Sequence, residues 1–193
     1  EYTTRGLLVK TSYPEGTSDT CVYDANDQRI SSTDRSGSVT RFIYDDLGRL
    51  KQTIYPDATP DDNTDNPRII REYDKADNLT AFIDENGNRT EFEYDAIGQQ
   101  IISRDALNFE TQYEYDAVGN LISLTDALNR QTKYDYDSLN RLTAATFADG
   151  TSTQNIYDEL GRIVKEIDQN EISTIFEYDG LDRLTAVEDA LGN

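Results

Sequence analysis

Tyr115-Asp-Ala-Val-Gly-Asn-Leu121, then Tyr136-Asp-Ser-Leu-Asn-Arg-Leu142, then Tyr157-Asp-Glu-Leu-Gly-Arg-Ile163, is the stretch whose reading decides this chain. Outward from it, Tyr-Asp recurs at Tyr23-Asp24, Tyr44-Asp45, Tyr73-Asp74, Tyr94-Asp95, Tyr115-Asp116, Tyr136-Asp137, Tyr157-Asp158 and Tyr178-Asp179, at intervals of 21, 29, 21, 21, 21, 21 and 21 residues. One further step of 21 back from Tyr23 lands on Tyr2, followed by Thr3 in place of Asp, a ninth and degenerate unit. A fixed short period of this kind signals stacked copies of one supersecondary unit, each too small to bury its apolar face alone.

Two turns punctuate each unit. Four residues after the Tyr stand Gly6, Asp27, Gly48, Asp77, Gly98, Gly119, Asn140, Gly161 and Asp182, residue types that accept left-handed backbone. A second signal, with Asp opening and Gly or Asn closing, reads Asp34-Arg-Ser-Gly37, Asp84-Glu-Asn-Gly87, Asp105-Ala-Leu-Asn108 and Asp126-Ala-Leu-Asn129. Six residues after the Tyr comes Leu or Ile in seven of nine units, Leu8, Leu50, Leu79, Leu121, Leu142, Ile163 and Leu184. At Arg29 and Gln100 the Ile comes one place later, at Ile30 and Ile101, and a one-residue bulge is expected to return it to its face.

The strand before each Tyr alternates, with Thr90, Phe92 and Tyr94, then Thr111, Tyr113 and Tyr115, then Thr132, Tyr134 and Tyr136 sharing one face and mostly polar residues the other. The expectation is a sheet with a buried tyrosine face and a wet one. Burying a ring removes about 150–250 Å² from water, an upper bound of about 4–6 kcal/mol each. The fold class is therefore all-β, tandem 21-residue β-hairpins in an antiparallel sheet, a single array over residues 1–193 expected to be a piece of a longer protein. The 29-residue interval is a hairpin loop lengthened at 55–67, where three of the four prolines lie.

Composition narrows function. With 18 basic and 38 acidic residues the net charge is -20, which repels nucleic-acid phosphates and anionic lipid. Thirteen Tyr and six Phe at regular places argue against disorder. No run of eighteen apolar residues is present to form a membrane-spanning helix. There is no His, so the commonest general base and imidazole metal ligand are missing and no enzyme is expected. The one cysteine, Cys21, stands two before its Tyr where other units carry Phe or Tyr, and reads as a small core residue. Fourteen of the 38 acidic residues, eight in Tyr-Asp and Asp34, Asp84, Asp105, Asp126, Asp168 and Asp189 in second turns, are assigned to turn chemistry. Asp57, Asp61, Asp62 and Asp65 have oxygen ligands suited to calcium but lack the spacing of a calcium loop; solvation is the favoured reading, and no cofactor is expected.

The units Tyr44-Asp-Asp-Leu-Gly-Arg-Leu50, Tyr157-Asp-Glu-Leu-Gly-Arg-Ile163 and Tyr178-Asp-Gly-Leu-Asp-Arg-Leu184 resemble the YD repeat of the Rhs family, found in bacterial polymorphic toxins and, in related form, in insecticidal toxin complexes and teneurins. The resemblance spans essentially the whole chain. It implies a curved, spiralling sheet that forms a shell wall around a C-terminal toxin or cargo domain, in a protein that is secreted or at the cell surface. The family's self-cleaving segment is rich in Asp-Pro, and no Asp-Pro occurs here, so no protease activity is carried over. The expected partners are adjacent repeats and an enclosed cargo. The alternative is an extracellular module binding carbohydrate or a surface protein, through the 55–67 loop or through rows of Tyr.

Overall fold

The computed structural model describes residues 1–57 and 66–190. Seventeen strands lie among them, and no helix. They fall into two compact units. The first, Glu1–Glu93 with Arg104–Asn108, holds β1 (Lys10–Ser12), β2 (Ser18–Tyr23), β3 (Arg29–Thr33), β4 (Val39–Tyr44), β5 (Leu50–Ile54), β6 (Arg68–Tyr73), β7 (Leu79–Ile83) and, as far as Glu93, β8 (Arg89–Tyr94). The second, Tyr94–Ser103 with Phe109–Asn193, holds β9 (Gln100–Arg104) as far as Ser103, β10 (Glu110–Tyr115), β11 (Leu121–Thr125), β12 (Gln131–Tyr136), β13 (Leu142–Thr146), β14 (Ser152–Tyr157), β15 (Ile163–Ile167), β16 (Ser173–Tyr178) and β17 (Leu184–Glu188).

Within the first unit each strand from β1 to β8 pairs antiparallel with the next. Within the second the same holds from β10 to β17. The turns are where the sequence puts them. All nine residues four past the Tyr have positive φ, from 60° at Asn140 to 95° at Gly119. So do the second-turn residues Gly37, Gly87, Asn108 and Asn129. Two second turns open on an aromatic, Tyr13 and Phe147, and in the latter Asp149 caps from inside by accepting the Thr151 amide at 2.9 Å.

The bulge recurs in each Tyr-Asp hairpin whose register is defined, and at Arg29 it does not return the Ile to the Tyr face, which corrects the expectation there. In seven hairpins the Tyr is in register with the residue six past it, and one residue is then skipped: Ile30, Lys51, Thr80, Ile122, Thr143, Val164 and Thr185. Arg29 therefore holds the position that Leu holds elsewhere, opposite Tyr23, while Ile30 is the bulged residue and stays 38% exposed. Arg29 tolerates the place because its guanidinium lies 4.5 Å from the centroid of the Phe42 ring.

Burial also departs from expectation. The buried hydrophobic residues among those described are Ile54, Ala81 and Ala145, and no large side chain is fully buried. The Tyr side is half-covered rather than a closed core, and Cys21 is likewise half-buried. The physical reason is that strand contacts within each unit link only strands consecutive in the chain, so cover comes from cross-strand neighbours. Ala81 shows how: it is in register with Glu72 and Glu91 on its two sides, and Arg89 reaches across β7 to bind Glu72 through two parallel bonds of 2.8 and 2.9 Å.

The ends of the lengthened loop are clamped. The Tyr55 amide donates to the Pro67 carbonyl at 2.9 Å and the Asn66 side chain donates to the Tyr55 carbonyl.

Candidate functional site

The residues of the repeat signature converge on the junction between one hairpin and the next. At the end of β6, Tyr73 has its hydroxyl 3.1 Å from the carbonyl of Leu50 in the preceding hairpin, to which it donates. The β5–β6 ladder begins only at Gln52, so the Leu50 carbonyl has no strand partner there, and the phenol supplies one. The same bond recurs from Tyr23 to Leu8, Tyr44 to Arg29, Tyr115 to Gln100, Tyr136 to Leu121, Tyr157 to Leu142 and Tyr178 to Ile163, at 2.9–3.0 Å. Each acceptor is the residue six past the preceding Tyr, so the position noted for its Leu also provides a carbonyl. Its side chain is free to vary, as Arg29 and Gln100 do.

The Asp of each pair closes the turn. Asp24, Asp45, Asp74, Asp95, Asp116, Asp137, Asp158 and Asp179 each accept, through Oδ1, the amides two and four residues on, at 2.8–3.1 Å. In the degenerate first unit the Thr3 hydroxyl accepts the same two amides, Arg5 at 3.3 Å and Leu7 at 3.0 Å. The turn glycines leave room for the preceding unit: a Cβ on Gly48 would lie 3.1 Å from Gln28 Nε2, on Gly119 3.2 Å from Gln99 Oε1 and on Gly161 3.4 Å from an Arg141 nitrogen. Gly98 holds the same left-handed place.

Five past the Tyr stands the residue that reaches forward. Arg49, Arg141 and Arg162 each donate Nε to their own unit's Asp at 2.7–2.8 Å. Each guanidinium then lies over the ring of the next Tyr: Arg49 over Tyr73 at 4.8 Å, Arg141 over Tyr157 at 4.4 Å, Arg162 over Tyr178 at 4.7 Å. Arg49 and Arg162 also bind the next turn's Asp77 and Asp182 at 2.7 Å. Where the residue is Gln or Asn, it can meet the next turn rather than the next ring, as Asn120 does by donating to Asn140 Oδ1 at 3.1 Å. Asn78, Gln99 and Asn120 bind their own Asp at 2.8–3.0 Å, and Gln28 donates instead to the Gly48 carbonyl of the next unit at 2.8 Å.

These contacts set the charge states. The Arg49 backbone amide, followed by its side chain, holds the Asp45 carboxyl below its ordinary value, and Asn120 does the same to Asp116. Loss of solvent pushes the Tyr115 and Tyr136 phenols up, helped by Tyr113 and Tyr134 respectively. An anionic aspartate, a cationic arginine and a neutral tyrosine are the forms the junction needs, and it favours each.

The structure thus brings Tyr, Asp and Gly together at each junction with the Arg, Gln or Asn for which sequence reading assigned no role. The signal was available, since position Tyr+5 holds a long donor side chain in most units. Of the acidic-loop candidates, Asp57 is half-buried, and Asp61, Asp62 and Asp65 lie outside the described residues; no group of metal-ligating side chains occurs among the described residues.

A chain of consecutive antiparallel hairpins joined by one repeated side-chain junction defines the class, a tandem β-hairpin repeat protein. The family model described as RHS Repeat matches residues 23–60, 73–110, 115–152 and 157–193, and the chain belongs to that family. Solved structures with the same fold include the Photorhabdus luminescens Tc holotoxin pore carrying a TccC3 point mutation, at 19% identity and TM-score 0.71 over 93% of this chain and 11% of that one. The TcdB2-TccC3-Cdc42 structure matches at 18% identity and TM-score 0.76, over 96% of this chain and 12% of that one. TcdB2-TccC3 without its hypervariable C-terminal region matches at 18% and 0.74, over 96% and 12%. The chain thus spans about one eighth of the length of the structures it matches. Comparison with curated proteins gives no significant match.

Proposed function

We propose that the chain serves as a length of structural wall, one continuous array whose work is to hold hairpin to hairpin and so enclose a C-terminal toxin or cargo domain of the full-length protein. The observation that carries this reading is the junction itself: the repeat's Tyr donates to the preceding hairpin, its Arg reaches the next one, its Asp fixes that Arg and the turn, and its Gly leaves room for the preceding unit. Support for a cargo comes from the relatives, one of which was solved without a hypervariable C-terminal region. Their toxin character supports a secreted protein. The carbohydrate alternative loses ground because rings that would serve as stacking platforms, Tyr73, Tyr157 and Tyr178, already carry an arginine on one face.

Protease digestion of the full-length protein tests the reading. The domain following the repeats should resist cleavage in the parent and become sensitive in a Tyr115→Ala, Tyr136→Ala variant that opens two junctions. Equal sensitivity of that domain in parent and variant, with the repeats themselves opened in the variant, contradicts enclosure.

A further inference from the structure

Two second turns depart from the repeat in the same way. Where most second turns open on Asp, Tyr13-Pro-Glu-Gly-Thr17 and Phe147-Ala-Asp-Gly-Thr151 put an aromatic first and an acid two places on. Their backbones match: the Tyr13 and Phe147 amides donate to the Thr17 and Thr151 carbonyls, and Gly16 and Gly150 donate to the carbonyl of the aromatic. In both, the threonine hydroxyl donates to the acid, Thr17 to Glu15 at 3.2 Å and Thr151 to Asp149 at 2.7 Å. The first of these turns holds a cation. The Arg35 guanidinium, from the second turn of the next hairpin, lies 4.4 Å from the centroid of the Tyr13 ring and pairs with Glu15 at 3.5 Å. Arg35 stands 22 residues past Tyr13, and the residue 22 past Phe147 is Gln169, which has no charge to offer. In its place is a half-open hollow of about 400 Å³, bordered by Phe147, Asp149 and Gln169, with Leu124 and Thr132, cross-strand partners on β11 and β12, also lining it. Among the described residues Asp149 has the Thr151 amide and hydroxyl as partners and no basic side chain. The one guanidinium at the rim, that of Arg130, is held by Asp126, with Nε at 2.7 Å and Nη2 at 2.6 Å.

We propose that this hollow binds a guanidinium group carried by another molecule, seated on the Phe147 ring and against the Asp149 carboxylate, as Arg35 is seated on Tyr13 and Glu15. This goes beyond the wall reading and stands whether or not anything is enclosed. The occupant is defined by the equivalent turn, where the same pair of side chains already holds that group. The break in the repeat points the same way: Phe147 gives up the aspartate that caps other second turns, and a local rule broken beside a hollow of ligand size marks a site. A guanidinium suits it better than an ammonium, because it is planar, stacks on an aromatic face and is more weakly hydrated. The net charge of -20 draws cations to the surface. The contacts are one ring face and one exposed ion pair, so binding is weak, on the order of millimolar, and screened by salt. An arginine side chain of a partner protein and a small guanidino compound both offer the required group.

The test is titration of the isotope-labelled chain with methylguanidinium chloride, followed by amide NMR, against N-methylurea as the neutral isostere and sodium chloride at equal ionic strength. Shift changes should gather at Phe147 to Thr151 and at Gln169, and the Tyr13 turn, already filled by Arg35, should stay still. Phe147→Leu should weaken binding about two- to fivefold, the scale of an exposed cation–π contact, and Asp149→Asn, which keeps an acceptor for Thr151, by a similar factor. Gln169→Arg should abolish the response by supplying the cation from within the chain, and Arg35→Gln should create a second responding turn at Tyr13. Acetyl-Gly-Arg-Gly-amide and agmatine then separate the sources: tighter binding of the peptide assigns a partner's arginine, and tighter or equal binding of agmatine a small guanidino compound. No response at Phe147 to Thr151, an equal response to N-methylurea or sodium chloride, or an undiminished response in Gln169→Arg would overturn the proposal. The isostere and salt controls leave the chain untouched, so they decide the matter even if a variant disturbs its turn.

Discussion

Tyr115 donates one hydrogen bond across a hairpin boundary, to the Gln100 carbonyl at 2.9 Å, from a ring that is half-buried. Tyr115→Phe removes that bond and leaves the carbonyl without its partner, a loss of about 0.5–1.5 kcal/mol by urea denaturation. Tyr115→Ala should cost about 2–3 kcal/mol, less than the roughly 3–5 of a closed core, because solvent already reaches part of the ring. Asp116 accepts the Val118 and Asn120 amides, and Asp116→Ala should lower the melting temperature by about 2–4 °C. A Tyr115→Phe variant that unfolds with the parent would show that the phenol bond contributes nothing. The identity of these residues was legible from their period. Their direction was not: alternation says which face a Tyr shares, but the carbonyl it meets is set by where the ladder stops after the bulge.

At the scale of the hairpin, turn chemistry was the most readable feature, since left-handed backbone selects Gly, Asn and Asp and all nine first turns obey. Glu171 departs from it. It occupies a second turn with φ 62°, where other second turns use Gly or Asn, and a Cβ makes that conformation costly. Glu171→Gly should therefore stabilise the chain by about 1 kcal/mol, read as a raised midpoint in thermal unfolding; an unchanged or lowered midpoint would mean that the Glu side chain compensates for its backbone. The lengthened loop offers a second test. With Tyr55 and Pro67 already bonded, excising eight residues between them should leave the melting temperature within a few degrees of the parent, because loop length enters closure entropy only logarithmically. The bulge was misplaced in sequence reading because only units lacking the Leu drew attention to it, whereas every hairpin across a Tyr-Asp turn with a defined register has one.

At the scale of the whole molecule, stability is spread over many small junctions, and a large share of them rest on ionised aspartates. Eleven carboxyls are held below their ordinary value of 3.8, each chiefly by amides, amide side chains, hydroxyls or arginine. A lowered folded value means that the contribution is complete above the unfolded value and vanishes as pH falls through the folded one. Protonation of acidic residues as pH falls also relieves the repulsion of a net charge of -20. The melting temperature should thus hold or rise slightly from neutrality to about pH 5 and fall steeply below about pH 4. A steady decline beginning near neutrality would contradict this. Strand type and the pairing of consecutive strands within each unit were legible in the sequence, but the degree of burial was not, because alternation looks the same whether a face is closed by a second layer or only by its own neighbours.

The central claim is that Arg and Tyr of successive units bind one another where a unit carries Arg five past its Tyr, as Arg49, Arg141 and Arg162 do. A double-mutant cycle on Arg141→Ala and Tyr157→Leu, read by urea denaturation, tests it most directly, since the ring and guanidinium are 4.4 Å apart. The account predicts that the two losses are not additive, with a coupling of about 0.5–1 kcal/mol. Additivity within about 0.3 kcal/mol would mean that the junction is contact without cohesion, and would remove the physical basis for reading this chain as a wall.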